Sequence, residues 1–150
     1  AREEMCQAVE KAGFDYLIAP ADLTRYGAVE TKQEGLAYAK WLKSHEGEYD
    51  GVILCLPNFG DENGAIAALE HCGTPILIQA YPDEIGKMDF EHRRDAYCGK
   101  FSICDVFHQY GLPCLTYVVA HEVGCLHSFF HFVGNHVAPV LRLFAVWSRA

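Results

Sequence analysis

Six consecutive residues without a charged or polar side chain, "GVILCL" (Gly51 to Leu56), constrain the fold of this chain more than any other stretch. A strand with one face in water alternates polar and apolar side chains, whereas this run offers no polar position. Such strands are typical of parallel sheets that are covered on both faces. The run therefore predicts a central strand over residues 51–56.

Other apolar runs predict further strands of the same sheet. "FDYLIAP" (Phe14 to Pro20) and "TPILIQA" (Thr74 to Ala80) are short and rich in β-branched and aromatic residues. A third run, "CLTYVV" from Cys114, predicts a last strand. We therefore expect strands before and after the central one.

Helical patterns separate these strands. Met5 and Val9 recur at helical spacing, and the capping box of Thr31 with Glu34 predicts the start of a second helix. Asp61 is suited to cap a third helix, and a fourth is predicted from about Phe90 to Tyr110. Strands that alternate with helices imply βαβ units with right-handed crossovers.

The alternation predicts an α/β fold: an open parallel sheet with helices on both faces, Rossmann-like and incomplete at both ends. We predict that residues 1–112 form an N-terminal α/β domain and that residues 113–150 begin a following domain. The tail of that second segment is atypical, because no acidic residue follows Glu122 and no solvent-facing side of a helix is specified. Truncation or a frame shift would each account for the tail after Thr116.

The polar loop after the central strand is the best candidate binding site. In open α/β sheets, ligands bind beyond the carboxyl ends of the strands, where this loop begins. Its residues suit a molecule with many hydroxyl groups, because amide and carboxylate groups bind hydroxyls. The predicted substrate-binding residues are Asn58, Phe59, Asp61 and Glu62. The alternative is structural, with Asp61 acting only as a helix cap and Asn58 only as a turn former.

Charge and composition exclude two classes of partner. A net charge of −8 argues against non-specific binding of nucleic acid, which depends on lysine and arginine. No apolar run approaches the length of about 20 residues that a membrane span needs. Seven cysteines without a CxxC pair indicate reduced thiols and a cytoplasmic protein. The sequence thus predicts a small-molecule or protein partner, with no nucleic acid and no membrane.

Long contiguous stretches resemble the N-terminal region of the L-fucose/L-arabinose isomerase family. They are "YGAVETKQE", "DGVILCLPNFGDENGAIAAL", "PILIQAYPDEIGKMD" and "RRDAYCGKFSICDVFHQYGLP", and the resemblance covers residues 1–116. It implies a cytoplasmic aldose–ketose isomerase that acts on a small sugar, uses a divalent metal such as manganese and assembles as a homo-oligomer.

The same resemblance assigns no catalytic or metal-binding residue in this chain. In that family the metal ligands and the proton-transferring carboxylates lie in later domains. We therefore expect the chain to contribute to the sugar site and to assembly, to bind no metal by itself and to be inactive alone.

Two other functions remain open from the sequence. One is a stand-alone α/β module that binds a small ligand at the loop of residues 57–62. The other is a metal-binding protein that uses the histidine-rich segment His121 to His136, in which His127 and His131 have the i, i+4 spacing of two ligands on a helix. This spacing matches no common zinc module.

Overall fold

A single parallel sheet organises the computed structural model, which describes residues 2–116 and 142–147. The neighbouring strands pair in the order β1-β5-β2-β3-β4, and each of these pairings is parallel. The strands are β1 (Asp15–Ile18), β2 (Gly51–Leu56), β3 (Ile76–Ala80), β4 (Cys114–Thr116) and β5 (Arg142–Trp147). The predicted α/β class with a parallel sheet is confirmed.

Four helices accompany these strands in the described part of the chain, and local sequence signals explain where α1 ends and where α2 begins. The helices are α1 (Arg2–Lys11), α2 (Lys32–Ser44), α3 (Glu62–Leu69) and α4 (Ala96–Gln109). Gly13, at φ 84°, follows α1 in the left-handed conformation that glycine adopts most easily. The amide of Glu34 donates to Thr31 Oγ1 over 3.3 Å at the start of α2. The predicted cap of this helix is confirmed.

The central strand is covered on both faces, as its unbroken apolar sequence predicts. Val52, Leu54 and Leu56 point into a core that α2, α3 and α4 complete. Ile53 and Cys55 point the other way, into a smaller core that contains Met5 and Val9 of α1. All six residues of β2 are buried. Helices therefore lie on both faces of the sheet.

The predicted start of the fourth helix is wrong. The sequence predicts a helix from about Phe90, but α4 begins at Ala96, after Asp95 in the left-handed conformation at φ 53°. The preceding loop exposes Ile85, Met88 and Phe90 to solvent. Phe90, from which the helix is predicted, is one of these exposed side chains, and the left-handed Asp95 separates it from α4.

Strand β5 is absent from the sequence prediction and lies between β1 and β2. Leu143 is opposite Tyr16 on one side and Gly51 on the other. Both β4 and β5 fall in the segment 113–150, yet they pair within the same sheet as β1 to β3. The division of the chain at residue 112 stays a prediction, because most of that segment, including residues 117–119 of "CLTYVV", lies outside the described residues.

Within the described ranges, none of the helices is both long enough and apolar enough to cross a membrane.

Candidate functional site

The loop of residues 57–61 leaves the sheet at the carboxyl end of β2, where the sequence places the candidate site. The backbone amide of Tyr81 donates to the carbonyl oxygen of Leu56 over 3.0 Å, so the chain after β3 reaches the same edge. Gly60, at φ 87°, turns the loop back toward α3. Two polar loops therefore meet at this edge, one after β2 and one after β3.

Asp61 is the N-cap of α3. Its carboxylate accepts a hydrogen bond from the backbone amide of Gly64, in the third position of the helix. A carboxylate is favoured there because the first amide groups of a helix lack internal partners. The predicted capping role of Asp61 is confirmed. The capping hydrogen bond uses one of the two carboxylate oxygens.

Glu62 is bound to a residue that the sequence analysis did not identify. Its carboxylate accepts a hydrogen bond from the hydroxyl of Ser102 on α4, forty positions along the chain. Both side chains are half-buried. This bond fixes Glu62 at the first turn of α3 and ties α3 to α4.

The backbone of Phe59 contacts α4. A Cβ atom built at Gly99 of α4 would collide with the carbonyl oxygen of Phe59, so the helix and the loop are in direct contact. The residue itself remains 37% exposed, and Asn58 is half-buried. A glycine inside a helical pattern often marks a close approach of backbone, but the sequence does not show which segment approaches.

The second loop at this edge, residues 82–95, is organised by local ion pairs. Arg94 bonds to Glu84 over 2.7 Å, and Arg93 bonds to Asp95 over 2.8 Å. The backbone amide of Arg94 also donates to the carboxylate of Asp83. Hydrogen bonding and charge from Lys87, followed by the Arg94 guanidinium, lower the pKa of Glu84. Both arginines are thus engaged with carboxylates of their own loop.

Two buried ionisable groups lie close to the candidate site and are held neutral. Tyr81 follows β3 and Cys55 lies in β2; burial is the main cause that raises the pKa of each side chain far above its ordinary value. A neutral phenol can donate or accept a hydrogen bond but is not a base at neutral pH. These groups support the edge and supply no nucleophile.

Comparison with known proteins decides the family. The model of the fucose/sulfoquinovose isomerase N-terminal domain matches residues 1–141. The chain belongs to this family. No curated protein and no solved structure matches it. The match confirms the resemblance to fucose isomerases. It covers residues 1–141, whereas the sequence motifs cover residues 1–116.

The described residues of this fucose isomerase-type domain do not fit the catalytic metal that the resemblance implies. Among residues 2–116 and 142–147, one group of three potential metal ligands is present. It consists of Asp89, Glu91 and His92, whose ligand atoms all lie within 4.8 Å of one another. All three side chains are exposed, and Asp89 Oδ1 already bonds to Nδ1 of His92 over 2.8 Å. Oxygen and imidazole ligands suit manganese, but an internally paired surface cluster is not an enclosed site.

The histidine-rich segment His121 to His136 lies outside the described residues. Its proposed metal-binding role stays a prediction.

Proposed function

We propose that this chain is the N-terminal domain of a fucose-type aldose–ketose isomerase, where it shapes the sugar site and carries no proton transfer itself. The single observation that supports this function is the family match over residues 1–141. Asn58, Phe59, Asp61 and Glu62 lie on the edge of the sheet where ligands of open α/β proteins bind. They are the proposed sugar-facing residues.

The contacts of the loop support a binding role. Asp61 caps α3, Glu62 bonds to Ser102, and the backbone of Phe59 rests on Gly99. A loop that is fixed before the ligand arrives loses less conformational entropy on binding. Asn58 combines an amide donor with a carbonyl acceptor, which is the pair that neighbouring hydroxyl groups of a sugar need.

The charge of this edge favours a neutral sugar over an anionic one. Asp61 and Glu62 place two carboxylates beside Asn58, and Arg93 and Arg94 are paired with carboxylates of the neighbouring loop. A sulfonate group close to Asp61 and Glu62 would be repelled. We therefore assign a neutral deoxy sugar such as fucose, rather than a sulfonated sugar, to the surface that this domain contributes.

The chemistry itself needs groups from elsewhere. Moving a proton between adjacent carbons of an open-chain sugar requires an acid–base group, and a divalent metal polarises the two oxygens. In the complete enzyme this metal, with manganese as the proposed ion, would be held by residues of other domains. A cytoplasmic location and assembly as a homo-oligomer belong to the same proposal.

Titration of the isotope-labelled chain with L-fucose tests the binding role. Amide resonances of residues 57–62 should shift with added sugar, and Asn58→Ala should weaken the response. Gln33→Ala removes an exposed amide from α2 and is the matched control, which should leave the response unchanged. Sulfoquinovose should shift these resonances less than fucose does.

Three outcomes would contradict the proposal. Shifts confined to residues outside 57–62 would support a stand-alone ligand-binding module with a different site. Sustained conversion of fucose by the chain with added manganese would show that it carries the chemistry. Saturable manganese binding with shifts only at His121 to His136 would support a metal-binding protein.

A further inference from the structure

A third loop reaches the edge of the sheet where the sugar is proposed to bind. It comprises residues 19–31, between the carboxyl end of β1 and the start of α2. Because β1, β2 and β3 belong to one parallel sheet, this loop leaves the sheet on the same side as the loops after β2 and β3. It is therefore placed to form a further wall of the sugar site.

Gly64 joins this loop to the residues already assigned to the sugar. A Cβ atom built at Gly64 would lie 2.5 Å from Val29 Cγ1 and 2.8 Å from Asp61 Oδ2. Val29 and the Asp61 carboxylate thus lie against the same glycine, in the first turn of α3. Tyr26 precedes Val29 by three residues, which span at most about 11 Å. A sugar beside Asp61 is therefore within reach of the Tyr26 side chain.

Helices on both faces of the sheet hold the loop of residues 19–31. The carbonyl oxygen of Gly27 accepts hydrogen bonds from Nη1 of Arg2 over 2.9 Å and from the hydroxyl of Tyr38 over 3.1 Å. Arg2 also donates to the carbonyl oxygen of Ala19 at the start of the loop. Arg2 belongs to α1, which packs on the smaller core, and Tyr38 of α2 lies in the larger core. The position of Gly27 is therefore fixed from two sides.

The carboxylate of Glu34 holds the backbone on each side of Tyr26. Its Oε1 atom accepts a hydrogen bond from the backbone amide of Arg25 over 3.3 Å, and Oε2 accepts one from the amide of Glu30 over 2.8 Å. A loop that is ordered in advance loses less conformational entropy when a ligand binds. The backbone that carries Tyr26 is thus prepared for a ligand.

This fixed backbone presents an aromatic ring at the surface. Tyr26 is 52% exposed, although the three residues that follow it, 27–29, are buried. The Arg25 guanidinium lies over the ring, with its Cζ atom 4.9 Å from the ring centroid. Such a cation–π contact favours one orientation of the ring. The loop after β1 therefore offers an apolar surface, whereas the loop after β2 offers groups that form hydrogen bonds.

We propose that Tyr26 is a further sugar-binding residue whose ring contacts the methyl group of a 6-deoxy sugar. This inference rests on the proposed function and extends the site to the loop after β1. The methyl group is apolar, and its contact with the ring removes apolar surface of both partners from water. The polar groups of Asn58, Asp61 and Glu62 remain for the hydroxyl groups of the sugar. A sugar with a hydroxymethyl group instead places a hydroxyl against the ring, where it loses hydration.

NMR spectra of the isotope-labelled chain test this contact. The methyl protons of L-fucose should show nuclear Overhauser effects to the ring protons of Tyr26, and the amide resonances of residues 57–62 should shift in the same titration. L-galactose, which has a hydroxymethyl group in place of the methyl group, should bind more weakly. Shifts at residues 57–62 without an effect at Tyr26 would overturn this inference and leave the proposed function standing. Shifts at neither loop would overturn both.

Variants measure what the ring contributes. Tyr26→Ala should raise the Kd for L-fucose by about two- to tenfold and abolish the preference for L-fucose over L-galactose. Tyr26→Phe keeps the ring and should retain both the affinity and the preference. Tyr110→Ala removes an exposed ring at the far end of α4 and is the matched control, which should bind like the wild type.

A thermal melt verifies that each variant is folded, as expected for substitutions at exposed positions. If folded Tyr26→Ala bound L-fucose as tightly as Tyr110→Ala, the ring would not be part of the site. If it lost affinity for L-fucose and L-galactose equally, the ring would not contact the methyl group. Either result would overturn the proposal.

Discussion

The carbonyl oxygen of Phe59 lies against the α-carbon of Gly99, so α4 has no room for a side chain at this position. The loop after β2 is thereby fixed by a helix that begins only after β3. The hydrogen bond between Ser102 and Glu62 joins the same two parts of the chain. The shape of the candidate sugar site thus depends on α4 as well as on its own sequence.

Substitution Gly99→Ala should destabilise the protein. Helix propensity alone predicts a gain of about 1 kcal/mol in the free energy of unfolding. Overpacking opposes this gain, because backbone must move to admit the methyl group, at a cost of about 1–3 kcal/mol. We expect the cost to exceed the gain and the midpoint of urea unfolding to fall.

The neighbouring substitution Cys98→Ala is the control for Gly99→Ala. Cys98 is exposed on the same turn of α4, so its replacement should leave the midpoint nearly unchanged. If Gly99→Ala instead raised the midpoint, the contact between α4 and the loop would not exist in solution.

The roles of Asp61 and Asn58 can be separated. Asp61→Ala removes the cap of α3 and should lower the free energy of unfolding by about 1 kcal/mol, whereas Asp61→Asn keeps a capping side chain and should cost much less. Asn58→Ala should weaken sugar binding with little change in melting temperature. A calorimetric melt and a sugar titration of each variant provide the two readouts. Equal loss of stability in Asp61→Asn and Asp61→Ala would contradict the capping role.

Local sequence was sufficient to predict the elements that carry a clear pattern of their own. The run of β2 has no polar position, and all six residues are buried. The position of β5 had no comparable signal, because it is determined by pairing with β1 and β2, which are distant in the chain. The start of α4 was misplaced because the loop before it exposes an apolar residue, Phe90.

The candidate loop could also be located from sequence, but its supports could not. The end of an apolar strand and the capping aspartate are local features, so they indicate both the place of the loop and the role of Asp61. Gly99 and Ser102 contact the loop across a long sequence separation. Sequence spacing gives no partner for either residue, and only the packing of α4 on α3 and the loop identifies them.

Acidification should loosen the loop of residues 82–95. Lys87 and Arg94 lower the pKa of Glu84, so the ionised form is stabilised in the folded protein. The stabilisation is complete above the pKa of Glu84 in the unfolded chain and is lost as the pH falls through the lower folded value. A carbon-detected NMR titration should show Glu84 titrating below the ordinary glutamate range.

Lys87→Gln should raise the pKa of Glu84, because it removes the largest cause of the shift. Lys40→Gln, at an exposed position of α2, should leave this pKa unchanged. Added salt should also reduce the shift, since these side chains are exposed and their charges are screened. A Glu84 pKa that did not respond to Lys87→Gln would exclude the ion pair as its cause.

A double-mutant cycle should reveal coupling between Ser102 and Glu62. A single hydrogen bond contributes about 0.5–1.5 kcal/mol, and more when one partner is charged. Ser102→Ala and Glu62→Gln should each lower the free energy of unfolding, and the double variant should lose less than the sum of the two. Ser44→Ala removes a hydroxyl that bonds to Trp41 within α2, and it should be additive with Glu62→Gln.

The same variants test whether this hydrogen bond serves the sugar site. Ser102→Ala keeps the carboxylate of Glu62 but removes the hydrogen bond that holds it in place. If Glu62 is pre-organised to contact the sugar, this substitution should weaken fucose binding, although Ser102 itself lies on another helix. Glu62→Gln should also weaken fucose binding, whereas Ser44→Ala should not. If both Ser102→Ala and Glu62→Gln lowered stability and left fucose binding unchanged, Glu62 would be a structural link between α3 and α4 and not a sugar-binding residue.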